Sequence, residues 1–562
     1  MAGGAIISGP GGRSNEYAKG RVTLYVVVAC FVGACCGLVF GYDIGIAGGV
    51  VAMPEFQRTF FPHVYKLSQI PKGGAGAHDP FCKYDDPMIS LFVSVLFLAG
   101  IPGAFLGSWT NNWFGRRPTM MIGGMNFLVG SILMSAASHI AMLVVGRIFL
   151  GVGIGICVQC GPLFLSELAP AHLRGLFNTQ FQLFITIGIL VAQVINYSTQ
   201  HMIIGWRLSL GLAGVPALLL IVGCIMVPET PNSLVERGHL QQAKITLAKI
   251  RGTEEIDPEL DDIIEAARFA RTTSKGGWSS LFKRRYIPQL VMTIALPTFN
   301  QFDGINSIMF YAPQLFDAMG QGASQALLTH VIIGAVNVAT TLVAVATVDR
   351  LGRKFWLVEA SFQMMAAEIA MTAVIATQMT PEGSLPAGAT IGLLIVVCFF
   401  IAGHAWGWGP MTWLVVSEVQ PLHMRAAGTA FGTMVNFIMS FIIGQFFLTL
   451  MCHCKAYVFL FFAGWLLFMG IFVILFVPET KGVPIEAIED ELIKKHWFWG
   501  KVMASTYAAD TANANRASIT SDADVAVCDA VATSTAMAQV SLRPRSPQKG
   551  KGEGSSSGGN DI

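Results

Sequence analysis

Long apolar runs alternate with short polar segments along most of the chain, and the length of these runs decides what they can form. A helix needs about 20 mainly apolar residues to cross a hydrocarbon core of ~30 Å. Runs of that kind lie at residues 22–47, 88–110, 119–138, 141–165, 178–199, 206–227, 288–318, 326–347, 355–377, 388–417, 426–448 and 455–477. Only helices and closed barrels satisfy every peptide group in lipid, and the sequence lacks strand-like alternation. The pattern therefore predicts an all-α membrane protein with twelve transmembrane helices in two six-helix halves.

Composition narrows the function classes. Charged residues make up 12% of the 562 residues, about half the ~25% that is usual for soluble domains, and hydrophobic residues make up 53%. This excludes a disordered chain, a coiled coil and a small disulfide-bonded scaffold, and it makes the lipid bilayer the expected environment. The net charge of +2 gives no reason to expect a nucleic acid partner.

The polar segments divide the chain. Lys and Arg cluster in alternate loops, which by the positive-inside rule places both termini in the cytoplasm of a multi-pass protein. The predicted parts are a cytoplasmic N-terminus (1–21), an N-terminal half (22–227) with an extracellular cap (54–87), a cytoplasmic helical linker (228–287), a C-terminal half (288–480), and a cytoplasmic helix followed by a disordered tail (481–562). A monomer is expected.

The two halves repeat the same motifs in the same order. The matched pairs are NWFGRR at 112–117 with DRLGRK at 349–354, SEL at 166–168 with SEV at 417–419, Arg174 with Arg425, and PET at 228–230 with PET at 478–480. Four ordered matches indicate a gene duplication. Two similar six-helix halves around a midplane site are typical of secondary transporters, because the halves can rock against each other.

The repeated motifs carry charges that we expect to act as a cytoplasmic gate. Glu167 and Glu418 stand at helix ends and are predicted to pair with Arg117 and Arg353 on neighbouring loops. Two further cations, Arg174 and Arg425, follow them along the chain. Ion pairs between the halves would close the gate in one state and break in the other. The alternative is a solvated surface network worth ~0–1 kcal/mol per pair.

Two ionisable residues lie within predicted spans. Asp43 comes about four residues before the outer end of the first span, and Arg147 comes about six residues after the outer end of the fourth. At a rise of 1.5 Å per residue, both lie roughly 6–9 Å below the outer surface. Charges at this depth are costly unless paired, so we expect an ion pair that loads and releases a proton as the halves rock. A static structural pair is the alternative.

Uncharged polar residues near the middle of several spans form a second group. They are Gln182, Asn300, Gln301, Asn306, Asn337 and Asn436, accompanied by Trp413. Amides both donate and accept, so a ring of them suits the hydroxyls of a sugar, and a Trp offers an apolar face for its C–H side. Each amide alone is equally explained as a hydrogen bond between helices.

Three cysteines lie on the predicted extracellular side. Cys82 belongs to the cap, whereas Cys452 and Cys454 lie in the last outer loop. An oxidising environment permits a bridge from the cap to the C-terminal half. Cys82–Cys452 is the predicted pair, Cys454 is the alternative partner, and three free thiols is the remaining possibility.

Several motifs resemble the sugar-porter branch of the major facilitator superfamily. They are GRIFLGVGIG at 146–155, PLFLSELAP at 162–170, PETP at 228–231, GINSIMFYAP at 304–313 and PETKGVP at 478–484. The cap and FGYDIGIAGGV at 40–50 are similar to those of plant sugar transport proteins, which are monosaccharide–proton symporters. The resemblance implies that Asp43 accepts the proton with Arg147 as its partner. It also implies that Gln182, Gln301, Asn306, Asn337, Trp413 and Asn436 contact a hexose.

The sequence also departs from that family. Asn300 replaces the first Gln of a usual pair, Asp303 a usual Thr, and His404 a usual aromatic residue, while Val416 and His423 replace a usual Pro and Glu. A surface or packing role is expected for Asp303 and His404, with titration as the alternative.

We expect a proton-coupled symporter that imports monosaccharides, in particular hexoses such as glucose, across the plasma membrane by alternating access. The proton is the coupling ion; no cofactor or metal is expected, and no enzyme motif is recognisable. The alternatives are an uncoupled facilitator, a polyol or inositol carrier of the same fold, and a nutrient sensor.

Overall fold

A computed structural model describes residues 23–69, 79–168, 174–273, 277–380, 384–421, 424–481 and 493–506 of the chain. The predicted cytoplasmic N-terminus (1–21), the tail beyond residue 506 and His423 lie outside these ranges. The described ranges consist of helices joined by turns and irregular segments or directly by a short 3₁₀ piece, and no strand occurs there.

The N-terminal half contains six crossings and a helical cap. Its helices are α1 (Leu24–Ala52), α2 (Pro54–Phe60), α3 (Pro62–Gln69), α4 (Pro87–Phe114), α5 (Arg116–Ser135), α6 (Ile140–Leu168), α7 (Arg174–Thr199), α8 (Gly205–Leu212) and α9 (Gly214–Met226). Helices α2 and α3 belong to the cap, and α8 with α9 forms the sixth crossing. Local sequence sets the boundaries: Asp86 accepts hydrogen bonds from the first backbone N–H groups of α4, and Pro87 follows at the first helical position.

Four short helices lie between the halves. They are α10 (Pro231–Glu236), α11 (Leu240–Arg251), α12 (Asp257–Thr273) and α13 (Gly277–Leu281). Helices α10, α11 and α12 share a small apolar core of their own. This group is also attached to the N-terminal half, since Arg251 donates to the Leu168 carbonyl at 3.1 Å and Thr23 donates to the Ile250 carbonyl at 3.2 Å.

The C-terminal half follows with eight helices. They are α14 (Ile287–Phe302), α15 (Ile305–Ala318), α16 (Ala323–Leu351), α17 (Arg353–Gln378), α18 (Ala387–Trp406), α19 (Trp408–Glu418), α20 (Arg425–Cys454) and α21 (Val458–Phe476). Two spans that the apolar pattern predicts as continuous, 288–318 and 388–417, are each broken near the middle. Gly304, with φ +85°, ends the first piece, and Gly407 separates α18 from α19.

Ten helical stretches within the described ranges are long and apolar enough to cross a membrane. The stretch Arg425–Phe476 contains both α20 and α21, and the broken pair α14–α15 is a further crossing, which gives the predicted twelve. We call the membrane side of α2 and α3 the cap side and the side of α10–α12 the linker side. The halves meet where α4 packs against α20, α7 against α16, and α1 against α15.

Candidate functional site

A central cavity lies between the two halves and has about 700 Å³ of empty space. All seven polar and aromatic residues that were singled out from the sequence line it: Gln182, Asn300, Gln301, Asn306, Asn337, Trp413 and Asn436. The broken helices explain part of this convergence. Because α14 ends just before Gly304 and α15 begins just after it, amides from both pieces reach the same wall.

The amides on the C-terminal side form a connected network around Gln301. Its Nε2 donates to Asn436 Oδ1 at 2.7 Å and to Asn300 Oδ1 at 3.0 Å, while its Oε1 accepts from Ser440 Oγ at 2.8 Å and from Asn306 Nδ2. The network therefore presents hydroxyl and amide groups that exchange partners without leaving a buried group unsatisfied.

Other residues of the cavity were not predicted. Ser440 lies one helical turn after Asn436 on α20, and Thr186 lies one turn after Gln182 on α7. Helical spacing from these two predicted residues was therefore the signal that could have found them. Phe40, Ile44 and Phe97 supply apolar surface from the N-terminal half. Apolar residues of the same types face lipid or fill the core elsewhere in the spans, so the sequence alone does not show that these three line the cavity.

The cavity continues towards the linker side. A smaller cavity shares Gln182 and is lined by Thr179, Thr341 and Val345, which lie nearer the linker-side ends of α7 and α16. The contacts that join the halves are found on the other side, as the cap region shows below. This arrangement corresponds to a cavity that is closed at the cap side.

Asp43 and Arg147 form a buried ion pair. Arg147 Nη1 lies 2.7 Å from Asp43 Oδ1, and their side chains are 0% and 3% exposed, respectively. The guanidinium carbon lies 4.2 Å from the centre of the Phe92 ring. Arg147 Nε and Nη2 have no hydrogen-bond partner, so Asp43 is the group that compensates this buried charge.

The ion pair is next to the cavity and behind its wall. Asp43 precedes Ile44, which lines the cavity, while Asp43 itself is fully enclosed. Helix α1 also contacts the C-terminal half beyond the pair, because Gln314 Nε2 on α15 donates to the Gly48 carbonyl at 2.8 Å. This hydrogen bond joins α1, which carries Asp43, to α15, which carries Asn306.

The predicted gate is wrong in two respects. Arg116, and not Arg117, pairs with Glu167, at 2.7 Å, and the Arg117 side chain donates to the Ile225 carbonyl instead. Arg353 does pair with Glu418, at 3.0 Å, but both residues belong to the C-terminal half. Both pairs thus lie within one half rather than between halves. The physical reason is that Gly115 and Gly352, with φ of +94° and +92°, turn the chain so that the next residue faces its own half.

Each half carries the same set of contacts around this pair, which we call the linker-side knot. In the N-terminal half, Glu229 accepts from the Arg116 and Arg117 backbone N–H groups, and the Thr230 hydroxyl donates to Glu167.

The C-terminal half reproduces the same knot. Glu479 accepts from the Arg353 and Lys354 backbone N–H groups, and the Thr480 hydroxyl donates to Glu418. The repeated PET motifs thus supply equivalent residues in equivalent positions.

The two remaining predicted cations have different outcomes. Arg425 Nη2 donates to the Gln420 carbonyl at 3.3 Å, which is again a contact within the C-terminal half. The side chain of Arg174 lies outside the described part of the chain.

The cap side is where contacts between the halves concentrate. A disulfide joins Cys82 to Cys452, as predicted, and Cys454 is an exposed free thiol. Lys83 Nζ lies 2.6 Å from Asp317 Oδ2, and the Tyr84 hydroxyl donates to the same oxygen at 2.9 Å. Burial and the neighbouring Asp317 carboxylate raise the pKa of Tyr84 well above its usual value, so the hydroxyl keeps the proton that it donates.

Comparisons with known proteins identify the family of the chain. The family model described as "Sugar (and other) transporter" matches residues 29–492. The chain is 46% identical to H(+)/hexose cotransporter 2 of Parachlorella kessleri over 506 residues, covering 89% of this chain and 93% of that protein. It is 45% identical to Sugar transport protein 13 of Arabidopsis thaliana, covering 90% and 95%.

Solved structures share the fold. The proton:xylose symporter XylE bound to 6-bromo-6-deoxy-D-glucose has a TM-score of 0.69 and 25% identity, covering 84% of this chain and 99% of that one. The inward-open conformation of XylE from E. coli has a TM-score of 0.66 and covers 83% and 99%. The twelve-helix architecture and the length of the family match lead to one conclusion: the chain belongs to the sugar transporter family of the major facilitator superfamily.

Proposed function

We propose that this protein is a proton-coupled symporter that imports monosaccharides, hexoses in particular, by alternating access. The observation that carries the proposal is the buried Asp43–Arg147 pair directly behind the wall of an amide-lined cavity. Charges at this depth are costly, and ionisable residues within a membrane commonly mark the path of an ion. Relatives named as proton/hexose cotransporters support the same substrates. The proton is the coupling ion, and no cofactor enters the cycle.

The cavity suits a sugar because its polar groups are uncharged and bifunctional. A bound hexose exchanges hydrogen bonds with Gln301, Asn306 and Asn436. Without sugar, Asn306 and Asn436 are both hydrogen-bonded to Gln301. Gln182, Asn300 and Asn337 complete the polar surface, and Trp413 faces the C–H side of the ring. Because the amides that line the site carry no charge, they favour neutral polyhydroxylated molecules.

Protonation of Asp43 is the step that couples the ion to the sugar. A proton that reaches Asp43 removes its negative charge and with it the attraction that holds Arg147 at 2.7 Å. Helix α1 is then released from α6. Because Gln314 on α15 is hydrogen-bonded to Gly48 on α1, the change reaches the sugar-binding wall. The sugar and the proton thereby favour the same rearrangement, which is the thermodynamic requirement for symport.

The proposal also assigns an orientation. The cap side is extracellular and the linker side is cytoplasmic, so both termini are cytoplasmic, as the placement of Lys and Arg indicates. A cavity that is closed at the cap side and extends past Thr179 is then an inward-facing state. We place the protein in the plasma membrane as a monomer, with the surrounding lipid as its other partner.

Electrical recording of sugar uptake tests the proposal. In oocytes that express the protein, glucose should evoke an inward current that grows as the outside pH is lowered. Asp43→Asn should abolish accumulation of labelled glucose against a gradient while retaining binding. Asp261→Asn, at an exposed carboxylate on α12, is the matched control and should behave as the native protein.

Different failures of this experiment point to different functions. Uptake without current identifies an uncoupled facilitator. Uptake of myo-inositol in preference to glucose, galactose, xylose and fructose identifies a polyol carrier. Neither uptake nor current, with binding retained, identifies a sensor. Accumulation that survives Asp43→Asn contradicts the role of the ion pair.

A further inference from the structure

Three titratable side chains lie together in the C-terminal half, and neither the amide network nor the Asp43–Arg147 pair uses them. His404 Nδ1 lies 2.8 Å from Asp303 Oδ2, and Asp303 is fully buried. Glu368 on α17 is fully buried as well, and neither of its carboxyl oxygens has a hydrogen-bond partner. Its Oε1 lies against the break between α14 and α15, because a Cβ added at Gly304 would come within 2.5 Å of it.

The two broken helices bring this cluster to mid-membrane depth. Asp303 caps the break between α14 and α15, where its Oδ1 accepts from the Ile305 backbone N–H at 2.9 Å. His404 lies three residues before Gly407, the break between α18 and α19. Discontinuous helices that line a midplane cavity are where transporters place ion and substrate sites, because the freed backbone tolerates polar groups there. The cluster therefore occupies a place suited to ligand or ion binding.

His404 connects the cluster to the cavity. Its side chain is 13% exposed and lines the cavity, with Nδ1 directed to Asp303. The other ring nitrogen, Nε2, lies towards Gly409, which also lines the cavity, because a Cβ added there would come within 3.2 Å of it. A proton that reaches His404 from the cavity thus meets a carboxylate on the far side of the ring.

The surroundings contain few charges that would fix the protonation state of the cluster. Among the described side chains outside the cluster, those that are charged or titratable on the helices packed against α18 are Glu359 on α17, which accepts from Trp406 Nε1, and His330 on α16, which contacts the Met309 carbonyl. The others lie at the linker-side ends of α16, α17 and α19: Arg350, Arg353, Lys354 and Glu418. Of the two buried carboxyls, Asp303 pairs with the His404 imidazole, and Glu368 lies against Gly304, the residue next to Asp303. Full ionisation would leave a net negative charge there, so the cluster must retain protons.

We propose that His404, Asp303 and Glu368 form a second proton-binding site, which exchanges protons with the sugar cavity through His404 and makes sugar affinity depend on pH independently of Asp43. This inference rests on the proposed function, because it assigns a role at the same cavity. When His404 is protonated, both ring nitrogens donate: Nδ1 to Asp303 and Nε2 to a sugar hydroxyl. A charge-assisted bond of this kind is stronger than a neutral one, so sugar affinity rises as the pH falls.

Binding measurements in purified full-length protein test this site apart from transport. The affinity for labelled glucose is measured between pH 5 and pH 8 in the Asp43→Asn background, which removes the first proton site. We expect affinity at pH 5 to exceed that at pH 8 by about tenfold, equivalent to ~1.4 kcal/mol. Adding His404→Gln should flatten this profile. Adding His201→Gln, at an exposed histidine in the turn after α7, should leave it unchanged.

The other outcomes are also decisive. A profile that keeps its slope in Asp43→Asn/His404→Gln, with thermal unfolding and size-exclusion profiles unaltered, overturns the inference. So does a flat profile in Asp43→Asn alone. If His404→Gln does not fold, Asp303→Asn takes its place with the same expectation, since it retains the acceptor for the Ile305 N–H and removes the charge. Absence of glucose binding at every pH in the native protein overturns the proposed function itself.

Discussion

At the scale of single residues, the polar groups of the cavity are satisfied in two different ways. The amides around Gln301 are hydrogen-bonded to one another, so a sugar that binds replaces existing amide–amide hydrogen bonds with its own. Arg147 instead depends on one partner, because Nε and Nη2 are buried and unpaired. The first arrangement favours reversible exchange of a neutral ligand. The second makes the protonation state of one carboxyl decisive.

The first prediction concerns Gln301, which is at the centre of the amide network. Gln301→Ala removes a side chain that bonds to Asn300, Asn306, Asn436 and Ser440, and it leaves these groups to pair with water. At about 1 kcal/mol per lost hydrogen bond, we expect the affinity for labelled hexose to fall at least tenfold.

Thr298→Ala is the matched control for this change. Thr298 lies one turn earlier on α14 and is half-buried, and its hydroxyl donates to the Ile294 carbonyl. Its loss should leave the affinity within twofold of the native value. An equal loss of affinity in both variants would show that α14, rather than the amide network, determines binding.

At the scale of elements, α1 and α7 approach so closely that glycine is required between them. Gly37, Gly41 and Gly45 recur every fourth residue on α1 and face the backbone carbonyls of Phe181, Ile185 and Ile189 on α7. Small residues at this spacing let helix backbones approach and pack well in lipid. The contact matters for function because α1 carries Asp43 and α7 carries Gln182.

The second prediction tests this packing. A Cβ at Gly41 would overlap the Ile185 carbonyl, so Gly41→Ala should destabilise the protein by about 1–3 kcal/mol, as overpacking does. Gly464→Ala on α21, where a Cβ meets no atom within 4 Å, is the control and should be neutral. Thermal unfolding in detergent measures both. Equal melting temperatures for the two variants would contradict the packing argument.

The sequence predicted the elements better than their interruptions. Twelve apolar runs, the cap and the buried pair follow from length and from charges at matched depth, and both properties can be counted along the chain. The breaks at Gly304 and Gly407 were missed, because a glycine inside an apolar run reads equally as close packing. Asp303 and His404 were therefore expected to be surface or packing residues. Only the breaks bring them together in the membrane interior.

The gate was wrong for a related reason. Arg116 and Arg117 are adjacent in the sequence, and their spacing could not show which of them reaches Glu167. The positive φ of Gly115 decides this, and it selects Arg116 for Glu167. Nor does the repeat of a motif say whether its members pair within a half or across halves.

At the scale of the whole molecule, the cap-side contacts hold the present state closed. The Cys82–Cys452 disulfide joins the segment before α4 to the end of α20, two helices from different halves that also pack against each other. The pair Lys83–Asp317 adds a second link across the same side. The disulfide thus links the halves covalently on the cap side, and any rocking has to occur with the start of α4 and the end of α20 kept together.

The third prediction concerns this tie. Cys82→Ser removes a cross-link between residues 370 apart in sequence, and removing a native disulfide costs about 2–5 kcal/mol. We expect a lower melting temperature and an unchanged sugar affinity, because the cavity residues are remote from the cap. Cys454→Ser, at the neighbouring free thiol, should have no effect, and adding reductant should lower the melting temperature of the native protein but not that of Cys82→Ser. A lower melting temperature in Cys454→Ser would show that Cys454, and not Cys452, forms the bridge.

The linker-side knots have a consequence for the energetics of transport. Neither joins the two halves: Arg116, Glu167 and Glu229 form one, and Arg353, Glu418 and Glu479 form the other. Arg116 also pairs with Glu236 on the linker helix α10 at 2.6 Å. We therefore expect both sets of contacts to be retained when the halves move relative to each other. The contacts between the halves that a change of state has to break then lie on the opposite, cap side, in links such as Lys83–Asp317.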